Sequence, residues 1–448
     1  MVSSSLFPAH AGRRKHPSPQ SRTHQFLILG STQSLSQIGS QMTSFALVIW
    51  VYRQQGSALM SSLMAACSYA PYVCTGVFSS ALVERWNAKR TMLACDAASA
   101  CCTLLMVLMY RLGRLDLPTL YALSMLSGFT GSLQQPASEI ATSSLVSPAQ
   151  RQWAGGLRSF SYAVTTMVVP LASTALLSNV GLVNVAMVDL ATFAVAFTSL
   201  TAFVHIPSRR VERADAKAVS YAGSIRDAWH WLHENSQLLS VLLFMSWINL
   251  FASMDDAALA PMILSRTGSE RILGLVNATA GLAMTVGSIA MTMLPRPKNR
   301  IRAMAISMLF SFAIGNVLLA LPAGLMVWCV GIACCWVAVP IEMTNQDALM
   351  RDTIPISMQG RVYALRNALQ YATIPCGNLL AGWLIDMVLE PLMAKLQGTV
   401  AGEVLGAAHK GSGAGLMILL DGCAGVLVCI VFYRRWHACY EPSRDAGK

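Results

Sequence analysis

At 448 residues, 54% of them hydrophobic and 12% charged, the chain carries about half the charge fraction of an ordinary soluble protein. Three stretches, 23–52, 54–83 and 303–341, contain no Asp, Glu, Lys or Arg, and each is long enough for at least one helix across a bilayer. A polytopic α-helical membrane protein is the class these numbers leave. The 12 cysteines form no CxxC, and all but Cys439 fall inside predicted spans, so neither a disulfide framework nor a zinc site is indicated.

In chain order, residues 1–24 form a basic, Ser-rich segment read as a cytoplasmic tail. Six spans follow within 25–204, near 25–51, 57–83, 91–110, 118–141, 156–178 and 182–204. A loop at 205–237 separates them from six more within 238–434, near 238–264, 272–294, 302–321, 324–346, 362–388 and 413–434. Residues 435–448 are a second tail. Pro322-Ala323-Gly324 splits the third charge-free stretch into a hairpin. In the central loop, SIRDAWHWLHENSQ (224–237) has the period of an interfacial amphipathic helix. His230, His233 and Glu234 belong to that helix and are not taken as a metal site.

Lys and Arg set the orientation. The tails and even-numbered loops hold 24 of the 32 basic residues, which places both termini in the cytoplasm. The net charge of +11 is therefore a topology signal, and no nucleic-acid partner is needed to explain it. The two halves also echo each other: VERWNAKRTML after span 2 answers PRPKNRIRAMAI after span 8, and Pro170 of span 5 answers Pro375 of span 11. A parallel six-helix repeat organises one large class of transporters.

Helical phase sorts the polar residues. At 100° per residue, Ser246, Asn249, Ser253 and Asp256 share an arc of span 7. Gln33, Gln37, Ser40, Gln41 and Ser44 share one on span 1. Ser124, Ser127, Gly131, Gln134 and Ser138 do so on span 4, and Gly331, Cys335, Glu342 and Asn345 on span 10. Lipid would leave such groups unsatisfied, so these stripes face protein or a water-filled cavity. The stretch MDDAALAP sets two acids side by side, and phase separates them. Asp256 joins the polar stripe, while Asp255 falls among Phe244, Ile248, Phe251 and Met262 and has no role by this reasoning. Asp189 and Asp421 read as structural, as does Asp386 at the outer end of span 11. Arg158 of span 5 either attracts an anionic group or locks Glu139.

Five segments resemble the major facilitator superfamily, in particular its drug:proton antiporter branch with macrolide and siderophore exporters. They are SLSQIGSQMTSFALVIWVYRQQGSA in span 1, SSALVERWNAKR in loop 2–3, QQPASEIATSSLV at the exit of span 4, VDLATFAVA in span 6 and QGRVYALRNALQYATIPCGNLLAGWLID in span 11. The chain departs from the usual patterns at Ser80, Glu84, Asn87 and Ala88 of the loop motif, and at Val169 beside Pro170. The resemblance implies twelve helices in two pseudo-symmetric six-helix bundles, with spans 1, 4, 7 and 10 lining a central cavity. In it, Gln37, Gln41, Gln134 and Asn249 are the cavity candidates. Asp256 leads the proton-coupling candidates, followed by Glu342 and Asp255. Glu84, Arg85, Lys89 and Arg90 either form a charge latch with Asp96 or serve only as topology-setting loop charges.

No GxxxxGK[ST] loop occurs, so ATP is not the energy source supplied by this chain. The expected function is proton-coupled efflux of a small amphipathic organic compound by alternating access. The expected setting is a bacterial plasma membrane, with a monomer, no cofactor, and substrate, protons and lipid as partners. The alternatives are an importer or facilitator of the same fold and a polytopic membrane enzyme. The enzyme has the weaker case, since no His/Asp or Ser/His pair shares a helix face.

Overall fold

The computed structural model describes residues 19–147, 150–204, 221–293, 295, 297–407 and 411–440, which are helical with no strand among them. The first half contains α1 (Pro19–Gln55), α2 (Ala58–Arg85), α3 (Ala88–Arg111), α4 (Leu117–Leu145), α5 (Arg151–Val180) and α6 (Leu182–Ala202). After α7 (Tyr221–Glu234), the second half opens with α8 (Ser236–Thr267) and α9 (Glu270–Met293). Next, α10 (Arg300–Phe310) passes through a π turn, Ser311–Asn316, into α11 (Val317–Ala320), and α12 (Leu325–Thr353) follows. Then come α13 (Ile356–Tyr371) and α14 (Thr373–Leu384), which runs through a second π turn, Ile385–Leu389, into α15 (Glu390–Lys395). Short α16 (Val400–Leu405) and long α17 (Ser412–Tyr440) complete it.

Among the described residues, nine helical segments are long and apolar enough to cross a membrane, and they match expected spans 3 and 5 to 12. Spans 1, 2 and 4 coincide with α1, α2 and α4, of 37, 28 and 29 residues. These are long enough, but rows of Ser, Thr and Gln lower the apolarity of α1 and α4, and part of α2 lies outside the described side chains. Only 28–56% of each apolar window is buried. The remainder carries exposed residues such as Leu104, Leu282, Ile289 and Leu427, a surface that only hydrocarbon satisfies. The protein is an integral membrane protein.

Packing repeats between the halves. In the first, α1 lies against α5 and α6, α4 against α2 and α3, and α3 against α6; in the second, α8 lies against α14 and α17, α12 against α9 and α10, and α10 against α17. The halves meet along two seams, α5 with α9 and α2 with α14. Glycines let the backbones close these seams. A Cβ on Gly281 of α9 would lie 3.0–3.1 Å from the backbone of Thr166 and Met167, and one on Gly382 of α14 would lie 2.7 Å from the Leu59 Cα.

Local chemistry explains the helix limits. Asn87 Oδ1 accepts from the Arg90 amide at 3.3 Å, and Asn299 Oδ1 accepts from the Arg302 amide at 3.0 Å. The two basic loops of the repeat thus end in the same N-cap. Leu321 to Gly324 form the expected hairpin, with Gly324 at φ 89°. Span 11 breaks at Ala372, because Pro375 has no N–H and its ring crowds the carbonyl four residues back, that of Tyr371. Helix α7 is amphipathic as expected, burying Ala228 and Leu232 against Leu238, Leu242, Met350, Ile354 and Val362. On its outer face His230 pairs with Glu234 at 3.2 Å.

Candidate functional site

Hydrogen bonds that cross between the halves cluster at one end, the end of the odd-numbered loops. Tyr52 of α1 bonds Ser265 of α8 at 2.5 Å, and Arg53 pairs with Glu270 at 2.8 Å while donating to the Gly268 carbonyl at 3.0 Å. Arg271 donates to Asn179 at 2.8 Å. The densest contact is Asp386, in the second π turn. It accepts from the Ser57 hydroxyl at 2.6 Å, the Ala58 amide at 3.0 Å and the Leu59 amide at 2.9 Å. Ala58 and Leu59 open α2, so their amides have no partner within the helix, and a carboxylate from the opposite half supplies it. This end is closed.

Roughly 18 Å of helix below Gly268, Asp256 projects from α8. Unlike the other acids deep in the second half, it is exposed. Tyr69 of α2 and Tyr162 of α5 lie within electrostatic reach of its carboxylate, and both lie within reach of Tyr371 of α13. The three tyrosines come from both halves and each is about half exposed, although all sit in the middle of helices. A carboxylate of the second half that lies within electrostatic reach of Tyr69 and Tyr162 of the first, and is itself exposed, faces the space between the halves and not lipid. An unpaired carboxylate exposed to hydrocarbon would be far costlier.

The other predicted residues divide. Gln37, Gln41 and Ser44 are exposed on the face of α1 left uncovered by α2, α4, α5 and α6. Asn249 is partly exposed on α8, its amide donating to the Met245 carbonyl at 3.0 Å. Gln134 has a different environment: its amide donates to Asp96 at 2.9 Å and to Gln33 at 3.0 Å, and Gln33 also donates to Asp96 at 3.3 Å. That network joins α1, α3 and α4 inside the first half, and it is where Asp96 is held. Lys89 donates instead to the Thr201 and Val204 carbonyls at the end of α6, at 3.1 and 2.7 Å. The side chains of Glu84 and Arg85 lie outside the described residues. Ser253 is buried against α14, where Gly377 leaves room for it, so it does not share the open face of Asp256. Glu342 is partly buried on α12 within electrostatic reach of Asp347 and Arg366, which pair at 2.8 Å. Arg158 pairs with Glu139 at 3.2 Å.

Sequence reasoning missed two residues with clear roles. Asp386, read only as structural, fastens the closed end. Asn316, not singled out at all, donates to Asp255 at 2.7 Å and to the Ile418 carbonyl at 3.2 Å. Both stand on π turns, which re-aim a side chain in a way that a uniform 100° phase does not capture. Two further hollows, of about 590 and 620 Å³, lie outside the space between the halves. One is framed by Arg302, Ile306, Phe310 and Val337, the other by Trp86, Arg90, Phe129 and Leu133; neither contains a carboxylate.

Known proteins share this architecture. A bacterial homologue of the human lysosomal transporter Spinster, in an inward-facing and occupied conformation, superposes with a TM-score of 0.70 at 13% identity, covering 95% of this chain and 99% of its own. A D-xylose-proton symporter superposes at 0.62 and 14% identity, covering 93% and 96%. In sequence, macrolide efflux protein A of Streptococcus pyogenes is 24% identical over 377 residues, 81% of this chain and 90% of the relative. The protein of the same name from Enterococcus faecalis is 24% identical over 334 residues, 72% and 99%. The family model of the Major Facilitator Superfamily matches residues 29–377. With that match over most of its length, and with the paired bundles and their two seams, the chain belongs to the major facilitator superfamily.

Proposed function

We propose that the protein is a proton-coupled exporter of a small amphipathic organic compound, macrolide-like in character, in a bacterial plasma membrane with both termini in the cytoplasm. The observation that carries this reading is Asp256: an exposed carboxylate of the second half near mid-membrane, within electrostatic reach of Tyr69 and Tyr162 of the first half. A group so placed is reachable by protons and substrate together, and it changes surroundings whenever the halves rock. Tyr69, Tyr162 and Tyr371 supply aromatic walls with polar edges, suited to an amphipathic ligand. Gln37, Gln41 and Asn249 supply amide donors and acceptors along the same space.

The direction of transport rests on the macrolide efflux relatives and on the distribution of basic residues. On that orientation, the closed end held by Asp386 and Glu270 is extracellular, and the conformation is ready to load from the cytoplasm.

The test is Asp256→Asn in inverted membrane vesicles. Wild type accumulates a fluorescent macrolide when a proton gradient is imposed, and the variant loses this dependence while its thermal transition stays within a few degrees. Full gradient-driven accumulation by Asp256→Asn would refute the assignment. Depletion from wild-type vesicles, where export demands accumulation, would make the protein an importer.

A further inference from the structure

Asp255 was the acid left without a role, and the structure gives it a partner. Asn316 donates to Asp255 Oδ2 at 2.7 Å and to the Ile418 carbonyl of α17 at 3.2 Å, and three residues on from Ile418 the Asp421 carboxyl group lies beside that of Asp255. Asp421 is 3% exposed. Asp255 Oδ2 accepts from Asn316, but Asp255 Oδ1 and Asp421 Oδ2 are both buried and neither has a donor.

Among the described residues, no cation faces the pair. Asn316 of the first π turn donates to Asp255, Cys335 of α12, whose carbonyl accepts from Ser311, lies within electrostatic reach of it, and so does Asp256, the next residue of α8. The Cys335 thiol donates to Asn316 Oδ1 at 3.4 Å, which leaves the Asn316 amide aimed at Asp255. Helix α14 contains no Asp, Glu, Lys, Arg or His, and those of α9 are confined to its first two residues, Glu270 and Arg271. Arg266, roughly 16 Å along α8, is committed to the Ala320 and Leu321 carbonyls. Tyr371 and Arg366 of α13 lie toward Tyr162 and Asp347 respectively. Two touching carboxylates in such a place cannot both be ionised, and a proton between the facing oxygens gives each the partner it lacks.

We propose that Asp255 and Asp421 form a second, buried proton-binding site that holds one shared proton and joins α8 to α17 behind the substrate cavity. Its consequence for transport rests on the proton-coupled reading above; the bound proton itself does not. Asp255 neighbours Asp256 in sequence and points about 100° away from it around α8, so a rotation of that helix moves both sites at once. Opening the α8–α17 contact exposes the pair to water and releases the proton. Closing it recaptures one. Atoms and charge balance as a single proton exchanged with solvent.

The experiment uses the full-length protein reconstituted in lipid. Infrared spectra at neutral pH should contain a protonated-carboxyl band in wild type and in Asp256→Asn. The band should be lost in both Asp255→Asn and Asp421→Asn, where the new amide donates to the remaining carboxylate. Two variants guard against misfolding of either one. In the same vesicles, Asp421→Asn should lose the stimulation of substrate flux by a pH gradient. A band that survives in both Asn variants overturns the shared proton, and a wild-type band abolished by sodium at neutral pH identifies a cation site in its place. Unaltered pH-gradient stimulation in Asp421→Asn overturns the coupling role. If wild-type flux ignores the gradient, proton-coupled export fails, and the infrared band still decides whether the pair is protonated.

Discussion

Replacing Asp386 with Ala removes the carboxylate that receives three donors from the other half of the molecule. A hydrogen bond to a charged group contributes about 1.5–3 kcal/mol when intact. The three share one anion at a half-exposed rim, and water replaces part of what is lost, so we expect a net loss of about 3 kcal/mol. Asp386 reaches Ser57, Ala58 and Leu59 only while this end is shut, and the loss therefore falls on the balance between conformations more than on folding. By the usual conversion, 3 kcal/mol moves that balance roughly a hundredfold toward opening of the rim. Spin labels on exposed Gln54 and Lys395 read it directly, as one lies on each side of the gap. Wild type should give a narrow, short distance distribution, and Asp386→Ala a longer one at an unchanged melting temperature. Asp386→Asn, which keeps an acceptor oxygen but not the charge, should fall between them. If the distribution in Asp386→Ala is the same as in wild type, the latch is incidental and the reasoning is wrong.

Two further outcomes extend the same logic. Gly382→Leu places a side chain where the Leu59 backbone and Ser62 already sit, with the first carbon 2.7–2.9 Å from them. The α2–α14 seam should then fail to close, lengthening the Gln54–Lys395 distance and stopping turnover without loss of the folded helix content seen by circular dichroism. Asp116 is solvent-exposed at the start of α4, and its carboxyl is held below the ordinary carboxylate range by accepting a hydrogen bond from Thr119. That cap is complete above the ordinary pKa of about 4 and fades as pH falls through the lowered value. The protection of the Thr119 amide, its exchange rate relative to that of an unstructured amide at the same pH, should therefore fall only in acid, and in Asp116→Asn that protection should become independent of pH.

Much of the architecture could be read from spacing, because hydrophobic length and the positions of Pro, Gly and basic residues act locally. Pro322 and Gly324 broke the third apolar stretch where the hairpin forms, and the period of residues 224–237 produced α7. The site was only partly legible. Phase correctly put Asp256 and Asp255 on different faces of α8, but it also grouped Ser253 with Asp256, since it does not register that Gly377 brings α14 against that serine. Gln134 looked like a cavity residue for the same reason: a stripe gives a direction and does not reveal that Asp96 stands in it. The loop motif suggested a partner for Asp96 among nearby cations, while two glutamines far off in sequence reach it first. Asn316 was passed over and the role of Asp386 was missed because the π turns that aim them leave no mark in composition.

For the proposed rocking of the halves, the seams set the character of the motion. Where Gly281 meets the backbone of α5, and Gly382 that of α2, the contact is main chain sliding on main chain. Such a surface has no rotamers to reset and little relief to climb, so it behaves as a bearing, while the polar rim at Asp386 and Glu270 behaves as a catch. Resistance to movement is then concentrated in a few contacts far from the ligand's path. The speed of the cycle becomes adjustable by single substitutions at the rim, with the chemistry of what is carried left untouched.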